Sequence, residues 1–293
     1  MQITRLADVQ PRPRRVAVGT FDGVHLGHRE VIRDADSVLT FDPHPVSVVA
    51  PAHTPRLLTD LETKADLIAG LGVQELIVIP FDAAFAARDA RQFIDGVLVG
   101  ALGAIEVSVG ENFRFGHRAQ GDAALLAADE RFVTRVVPLL EVDGEIVSSS
   151  HIRGLVAAGE VRQAARFLGA PFRLHGEVVH GDERGRELGY PTANLVPDDS
   201  LVSPGHGVYA CLAGDVAAAV SIGVRPTFDT GRGELVEAYL IDFDGDLYGT
   251  ELQLRFLRRL RGERRFDTVD GLVEQMGRDV QQAREIAEEY RDQ

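Results

Sequence analysis

GTFDGVHLGH (residues 19–28) follows the apolar stretch 16–18 and leads into a predicted helix. A strand that passes through a glycine-containing turn into a helix directs backbone N–H groups and the positive end of the helix dipole at one point, which is typical of an anion site. His25 and His28 are three residues apart, so near a helix start they project from the same side. We interpret them as donors for nucleotidyl transfer, in which negative charge builds on an α-phosphate. Two other interpretations stay open: turn glycines with surface or capping histidines, and a metal site formed with Asp22.

Short apolar strands alternate with helical segments from residue 16 to about residue 137. The predicted strands are 16–19, 37–41, 75–80, 105–110 and 132–138, and the predicted helices lie near 29–34, 61–71, 90–102 and 121–128. This alternation predicts a parallel sheet with helices on its faces, in which ligands bind at the carboxyl ends of the strands.

The connection between Gly27 and Ser37 has room for only a short helix. It is near the minimum length of a crossover between parallel strands. A natural short form and a local rearrangement are both compatible with it, so the position of the second strand stays open.

The second half of the chain has a different pattern. Its predicted strands are 172–180, 207–212, 216–222, 235–243 and 251–257, with turn signals rather than helices between them. Such a pattern predicts a small antiparallel barrel. One long helix follows, and we expect Leu272, Val273, Met276, Val280 and Ala283 on its buried side. Gly169-Ala170-Pro171 breaks the preceding helical pattern, so we predict two domains, 1–169 and 170–293.

Composition restricts the function. The formal net charge is −14, which argues against a general nucleic-acid-binding protein. The single cysteine, Cys211, excludes an internal disulfide, and no apolar run reaches membrane length, so we expect a cytoplasmic protein without membrane contact. Lys64 is the only lysine. An acidic enzyme of anionic substrates needs local positive groups and Mg²⁺ for binding.

Five motifs in order carry a resemblance to a known family. They are GTFDGVHLGH (19–28), TFDPHP (40–45), GENFRFG (110–116), SSSHIR (148–153) and GYPTAN (189–194). Together they resemble the bacterial bifunctional riboflavin kinase/FMN adenylyltransferases, the FAD synthetase family, over almost the whole chain. The resemblance implies an α/β plus all-β architecture: a Rossmann-like HxGH nucleotidyltransferase domain, then a small antiparallel β-barrel riboflavin kinase domain with a C-terminal helix. It also implies riboflavin, FMN and ATP as substrates and Mg²⁺ as cofactor, whereas an oligomeric state cannot be read from the chain.

The resemblance assigns an adenylyltransferase site to the first half. It implies catalytic roles for His25, His28 and Arg153, ATP or phosphate binding by Gly19, Phe21, Asp22, Ser149 and Ser150, and flavin binding by Asp42, His44 and Asn112. Without the family, the serines are equally typical of helix caps and TFDPHP of a loop shaped by its prolines. Asn112 and Arg114 are two residues apart, so in an extended segment they share a face.

The resemblance assigns a kinase site to the second half. Thr192 and Asn194 offer oxygen ligands to Mg²⁺ from one side of an extended segment. Gly181 and Gly185 belong to a flap over ATP, for which a simple hairpin loop is the alternative. Glu237 interrupts an apolar strand, where a carboxylate must be paired, hydrogen-bonded or raised in pKa; the family makes it the general base.

These inferences predict an enzyme that phosphorylates riboflavin to FMN and adenylylates FMN to FAD. Two alternatives stay open. The first is a monofunctional riboflavin kinase whose adenylyltransferase site has decayed, which the short first crossover suggests. The second is a non-catalytic regulator that binds flavin or nucleotide.

Overall fold

A computed structural model describes residues 1–181, 188–224 and 234–292. Contacts between Cα atoms divide the chain into two compact units, Met1–Ser149 and Ser150–Gln293, which we call the N-terminal and C-terminal units. This division lies before the predicted boundary at 169/170, because a helix that ends at Leu168 packs against strands of the C-terminal unit.

The N-terminal unit has a parallel sheet. Its strands, with those of two small hairpins, are β1 (Gln2–Arg5), β2 (Arg14–Val18), β3 (Ser37–Asp42), β4 (Glu75–Pro80), β5 (Ala104–Gly110), β6 (Arg114–Phe115), β7 (Gly121–Asp122), β8 (Val133–Val137), β9 (Glu141–Val142) and β10 (Glu145–Ile146). The sheet order is β1-β4-β3-β2-β5-β8, and all its pairs are parallel. The five strands predicted here are confirmed within one or two residues at each end, and β1 was not predicted.

Helices cover both faces of this sheet. They are α1 (Leu26–Ile32), α2 (Pro45–Val49), α3 (Leu61–Ala69), α4 (Ala83–Ala86), α5 (Ala90–Gln92), which continues as a π-helix (Phe93–Ala101), and α6 (Ala123–Ala127). Alternate residues of β2 enter different core clusters: Val16 and Val18 belong to one, and Ala17 belongs to the other. This arrangement follows from the alternation of side chains along a strand that is buried on both faces.

Strand β2 lies at the point where the strand order reverses. The chain proceeds from β2 to β3 and β4 on one side and then returns to β5 on the other side. In open α/β sheets, ligands bind outside the carboxyl ends of the strands at such a point. The stretch 19–28 leaves β2 at this place.

The short first crossover forms a complete β-α-β unit. Helix α1 has seven residues, and β3 pairs in parallel with β2 from Val16 opposite Ser37 to Val18 opposite Leu39. Asp34 adopts a left-handed conformation, with φ of 65°, where the chain turns back towards the sheet. The connection is therefore a natural short form, and the second strand lies where the motif pattern places it.

The C-terminal unit is a closed antiparallel barrel with helices before and after it. Its elements are α7 (Ser149–Ala157), α8 (Val161–Leu168), β11 (Phe172–Val179), β12 (Ala193–Val196), β13 (Gly207–Ala213), β14 (Val216–Val224), β15 (Glu234–Leu240), β16 (Glu251–Arg261) and α9 (Val269–Arg291). The barrel order is β11-β12-β15-β14-β13-β16. The predicted barrel and final helix are confirmed, and β12 was not predicted as a strand. Of the five residues expected on the buried side of α9, Ala283 is fully buried and the other four are half-buried.

Candidate active sites

The turn after β2 has an irregular backbone. Phe21, Gly23 and Val24 have φ angles of 50°, 83° and 41°. Only glycine adopts such angles at little cost, so Phe21 and Val24 store backbone strain. Both side chains are about 1% exposed and pack in the core, which holds them in place. Strain of this kind is concentrated at functional sites.

Hydrogen bonds to distant segments hold this turn. Oδ1 of Asp22 accepts from the N–H groups of Leu58, at 2.7 Å, and Thr59, at 3.3 Å, and the N–H of Gly23 donates to Oγ1 of Thr59 at 3.1 Å. Oγ of Ser149 donates to the backbone oxygen of Asp22 at 3.0 Å. The predicted residues Asp22 and Ser149 are thus brought together, and the side chain of Asp22 positions the turn.

The predicted cradle of free N–H groups is wrong for three of them. The N–H of Gly23 donates to Thr59, that of Val24 donates to the oxygen of Phe21 at 3.2 Å, and that of His28 donates to Nδ1 of His25 at 3.2 Å. The turn folds back on itself and satisfies these groups internally. These three groups are therefore not available to an anion, and the two imidazoles are candidate donors in the same turn.

The two imidazoles stack. The ring centroids of His25 and His28 are 3.5 Å apart, with 16° between the planes. Phe21 contacts His28 edge-to-face, with centroids 5.3 Å apart, and a Cβ at Gly19 would lie 3.0 Å from the Phe21 ring. Gly19 therefore leaves room for the Phe21 ring, and that ring packs against His28. The predicted common side of the two histidines is what the structure has, and His25 also caps α1.

Burial keeps both imidazoles neutral near pH 7. It lowers the pKa of His25 to about 4. The pKa of His28 is lowered well below its ordinary value by burial first, and then by the charges of His25 and Lys64. Nδ1 of His28 is buried and has no hydrogen-bond partner among the described residues. A neutral imidazole can donate one hydrogen bond but brings no positive charge to a phosphate.

The other predicted residues of the N-terminal unit lie after neighbouring strands. Asp42 is exposed at the carboxyl end of β3, and His44 caps α2 by accepting from the N–H of Val46 at 3.3 Å. Asn112 follows β5 but lies in a turn, which the N–H of Phe113 closes on the oxygen of Gly110 at 3.0 Å. The expectation that Asn112 and Arg114 share an extended face is therefore wrong.

Ser150 and Arg153 belong to α7 in the C-terminal unit. A guanidinium nitrogen of Arg153 donates to Oγ of Ser150 at 2.9 Å. The two side chains thus form one polar group on successive turns of a helix.

The predicted kinase residues meet on adjacent strands. Asn194 in β12 lies directly opposite Glu237 in β15, and Glu237 lies opposite Ser221 in β14. Directly opposite side chains in an antiparallel pair have Cβ atoms about 5 Å apart. Asn194 is buried, and a Cβ at Gly181 would overlap its amide, so a larger residue at position 181 would displace that amide. Gly185 lies outside the described residues.

Glu237 is half-buried rather than enclosed by apolar side chains. Val236, Ala238 and Leu240 are buried, whereas Glu237 lies on the alternate face with Leu235 and Tyr239. The expectation of a fully apolar setting was wrong because strand residues alternate between faces. The ring of Tyr190, in the GYPTAN motif, contacts Tyr239 edge-to-face on this face, with centroids 5.2 Å apart.

Comparisons with known proteins cover both units. The family model for FAD synthetase matches residues 8–151, and the model for riboflavin kinase matches residues 168–287. The bifunctional riboflavin kinase/FMN adenylyltransferase of Listeria monocytogenes is 36% identical over 286 residues, with 92% of this chain and 91% of that protein covered. Its counterpart in Bacillus subtilis is 38% identical, with 92% and 90% covered. This chain belongs to that family.

A solved structure agrees with this assignment in fold. A crystal structure described as a macrolide-efflux protein from Streptococcus pneumoniae has a TM-score of 0.87 and 31% identity, covering 97% of this chain and 99% of that one. No helix in the described part of this family member is long and apolar enough to cross a membrane. The two family models leave residues 152–167 between them, which include most of α7 and α8.

The oxygen donors of the riboflavin kinase unit fit Mg²⁺. Thr192 and Asn194 present hydroxyl and amide oxygens, the hard ligands that this ion prefers. Within residues 1–181, 188–224 and 234–292, by contrast, no three His, Cys, Asp or Glu side chains are grouped to hold a metal, so the metal interpretation of His25, His28 and Asp22 has no support.

Sequence reasoning missed Thr59 and Ser221. Thr59 binds the turn at Gly23, and Ser221 lies opposite Glu237. Neither residue belongs to a motif. Their positions depend on pairing between distant segments, which no local pattern reveals.

Proposed function

We propose that this chain converts riboflavin to FMN in its C-terminal unit and FMN to FAD in its N-terminal unit, with ATP as co-substrate of both reactions. The observation that carries the proposal is the presence of two complete residue groups in one family member. One is the stacked pair His25 and His28 at the strand-order reversal. The other is Asn194 opposite Glu237.

In the kinase reaction, the 5′-oxygen of riboflavin attacks the γ-phosphorus of ATP, and ADP leaves. Glu237 accepts the proton of that 5′-hydroxyl. Half-burial suits a general base, because it leaves the carboxylate reachable by substrate. Thr192 and Asn194 hold Mg²⁺, which when bound neutralises charge on the phosphates. Gly181 lets the backbone lie close to Asn194 at the start of the flap.

In the adenylyl transfer, a phosphate oxygen of FMN attacks the α-phosphorus of ATP, and the bond to the bridging oxygen breaks to release pyrophosphate. Neutral His25 and His28 donate hydrogen bonds to the oxygens on which charge develops. They are fixed beforehand by stacking and by capping of α1, so little reorganisation accompanies the reaction.

The remaining assignments are parts of the same proposal. Gly19, Phe21 and Asp22 shape the turn, Ser149 donates to the backbone oxygen of Asp22, and Ser150 with Arg153 binds ATP phosphates. Asp42, His44 and Asn112, which follow β3 and β5, bind flavin. A cytoplasmic location stays a prediction from composition.

The alternative of a decayed adenylyltransferase site rested on the short crossover. That crossover forms a complete β-α-β unit and brings β3 beside β2. No feature of the turn therefore favours decay.

The test is to incubate the purified protein with riboflavin, ATP and Mg²⁺ and to separate the flavins over time. We expect FMN first and FAD later. FMN alone would favour the monofunctional kinase, and flavin binding without turnover would favour the regulator. Either result would overturn the proposal.

A further inference from the structure

The carboxyl end of helix α1 is bonded to two side chains of the parallel sheet. One guanidinium nitrogen of Arg135 lies within hydrogen-bond distance of three backbone oxygens at this end. They belong to Glu30, Val31 and Arg33, at 3.1, 2.9 and 2.6 Å, and they share the two hydrogens of that nitrogen. Oγ of Ser108 donates to the oxygen of Val31 at 2.7 Å. These bonds satisfy carbonyl groups of the kind that the last turn of a helix leaves without an intrahelical partner.

The pairing of two strands brings these side chains together. Ser108 in β5 lies directly opposite Arg135 in β8. Aligned residues of adjacent strands project from the same face of a sheet, so the hydroxyl and the guanidinium reach the same helix end. Ser108 is 3% exposed, and Arg135 is half-buried with a carboxylate oxygen of Glu106 3.9 Å from its Nε. We call Ser108 and Arg135 the carbonyl clamp.

Helix α1 depends on such contacts because it is short. It has seven residues, whereas isolated helices of fewer than about 12 residues are marginal in water. Val31 and Ile32 are buried in the same core cluster as Phe21 and Val24 of the imidazole turn, which gives α1 apolar contacts. The carbonyl clamp adds polar ones, and its positive charge also stabilises the negative end of the helix dipole.

The amino end of the same helix carries the two imidazoles. His25 caps α1 by accepting from the N–H of His28 at 3.2 Å, and the N–H of Arg29 donates to the oxygen of His25 at 3.0 Å. Seven residues at 1.5 Å each make α1 about 10 Å long, and its hydrogen bonds connect the two ends. A shift of the carboxyl end is therefore passed on to the stacked rings.

We propose that Ser108 and Arg135 are positioning residues of the adenylyltransferase site, which hold the carboxyl end of α1 and thereby fix the stacked imidazoles at its amino end. This role rests on the proposed adenylyl transfer. Neither residue contacts the reacting atoms, because both act through the carbonyl groups of α1. The carbonyl clamp thus lets a crossover of nearly minimal length keep His25 and His28 in place.

The first test separates kcat from KM in FMN adenylylation. Arg135→Gln removes the guanidinium. We expect kcat for FAD formation to fall about tenfold or more and KM for ATP to stay within about twofold, because displaced donors lose an interaction that develops in the transition state. Arg135→Lys, whose ammonium can still donate to the carbonyl groups, should recover part of kcat. Ser108→Ala removes one bond and should cause a smaller loss of the same kind.

The matched control is Arg131→Gln, since Arg131 lies before β8 and donates to Asp95 and Asp129 rather than to α1. Riboflavin kinase activity in the same samples reports folding. An unchanged kcat in Arg135→Gln, or a raised KM for ATP with unchanged kcat, would overturn the proposal. If Arg135→Gln loses both activities, Ser108→Ala decides, and an unchanged kcat for FAD formation in that variant would overturn it as well.

The second test needs no catalysis. The chain has nine histidines, and labelling with ¹⁵N-histidine makes their ring signals visible by NMR. Spectra of His25→Asn and His28→Ala assign the two signals of interest. We expect both signals to move in Arg135→Gln and in Ser108→Ala and to stay in place in Arg131→Gln. A carbonyl clamp that only stabilises the fold would lower the melting temperature and leave these signals unchanged, which would overturn the proposal.

The two tests also separate this inference from the function on which it rests. A protein that makes no FAD but whose His25 and His28 signals move in Arg135→Gln would refute the proposed adenylyl transfer. A protein that makes FAD but whose signals do not move would refute the positioning role.

Discussion

The imidazole turn of the N-terminal unit and the strand pair of the C-terminal unit position the residues of the two proposed sites in opposite ways. The turn is irregular and strained, and it is fixed by hydrogen bonds from segments about 36 positions away in the chain. The strand pair is regular, since the register of β12 and β15 alone places Asn194 opposite Glu237. The first region carries two buried neutral imidazoles, and the second carries a half-buried carboxylate.

This difference shows that one chain can position side chains in two ways, by a strained turn or by a regular pair of strands. A strained turn keeps its conformation only because the surrounding side chains hold it. We therefore expect low pH and substitutions in the core to disturb it. A pair of strands is held by backbone hydrogen bonds in one register, so single side chains of β12 and β15 can be exchanged with little effect on the fold. The variants below test this contrast from the largest expected effect to the smallest.

Glu237→Gln should abolish riboflavin phosphorylation, with a loss of about 10²–10⁴ in kcat, because the amide cannot accept the proton of the 5′-hydroxyl. FAD formation from added FMN should remain. Flavin separation after incubation with ATP measures both. Glu177→Gln, an exposed carboxylate on β11 of the same barrel, is the matched control. Loss of both activities in a folded protein would contradict the separation of the two sites.

His28→Ala should reduce FAD formation by about 10²–10³, because it removes a preorganised donor. Riboflavin phosphorylation should persist. We also expect a lower melting temperature, since the ring packs on His25 and Phe21. Assays of both reactions at a temperature below the transition separate the chemical effect from the structural one, and normal FAD formation in this variant would remove His28 from the mechanism.

Gly181→Ala should raise KM for ATP in the kinase reaction about tenfold, because the new Cβ overlaps the Asn194 amide and displaces it. FAD formation from FMN should not change. Gly262→Ala is the control in the same unit, since its Cβ would make only an ordinary contact at 3.8 Å. Kinase kinetics indistinguishable between the two variants would show that the amide does not need its present position.

The free energy of unfolding should decrease as the pH is lowered, because the imidazole turn holds a buried neutral histidine. The pKa of His25 is about 4 in the folded protein, below the ordinary value of 6.5. Between these values the unfolded chain binds more protons, so stabilisation is present above pH 6.5 and is lost as the pH falls towards 4, by on the order of 3 kcal/mol. The lowered pKa of His28 acts in the same direction.

Urea unfolding at several values between pH 4.5 and pH 7.5 measures this loss in the unmodified protein and in His25→Asn. The variant should show a flatter dependence of the unfolding free energy on pH. His53→Asn, an exposed histidine of the same unit, is the control. Parallel curves for the unmodified protein and His25→Asn would contradict the burial of a neutral imidazole.

Much of the fold could be predicted because its signals are local. Apolar runs such as 75–80 and 207–212 mark strands by composition, and the spacing of Val280 and Ala283 marks a helix. Two strands of the sheet and the barrel were not predicted: β1 is short and mostly exposed, and β12 lies in a motif whose polar residues conceal its extended backbone. The short helices α2 and α4 and the two small hairpins were not predicted either. The β-propensity of four residues is too weak a signal to predict a strand.

The common side of the two histidines was predictable, but the contacts of the turn around them were not. His25 and His28 were expected on one side of a helix start, since spacing determines that. The turn's internal use of its own N–H groups was not expected, because it depends on the left-handed conformations of Phe21 and Val24. Tertiary packing imposes those conformations against the preference of both residues.

The amino-acid sequence by itself determined the order of the two units and the alternation of strands and helices, and it supplied the motifs that show the family, because each of these depends on neighbouring residues. The tertiary structure decided what those side chains touch: Asp22 accepts from the N–H groups of Leu58 and Thr59, and Glu237 lies opposite Asn194. The physical reason is that these contacts join segments about 36 to 43 residues apart, and only the packing of the whole unit selects which distant groups meet.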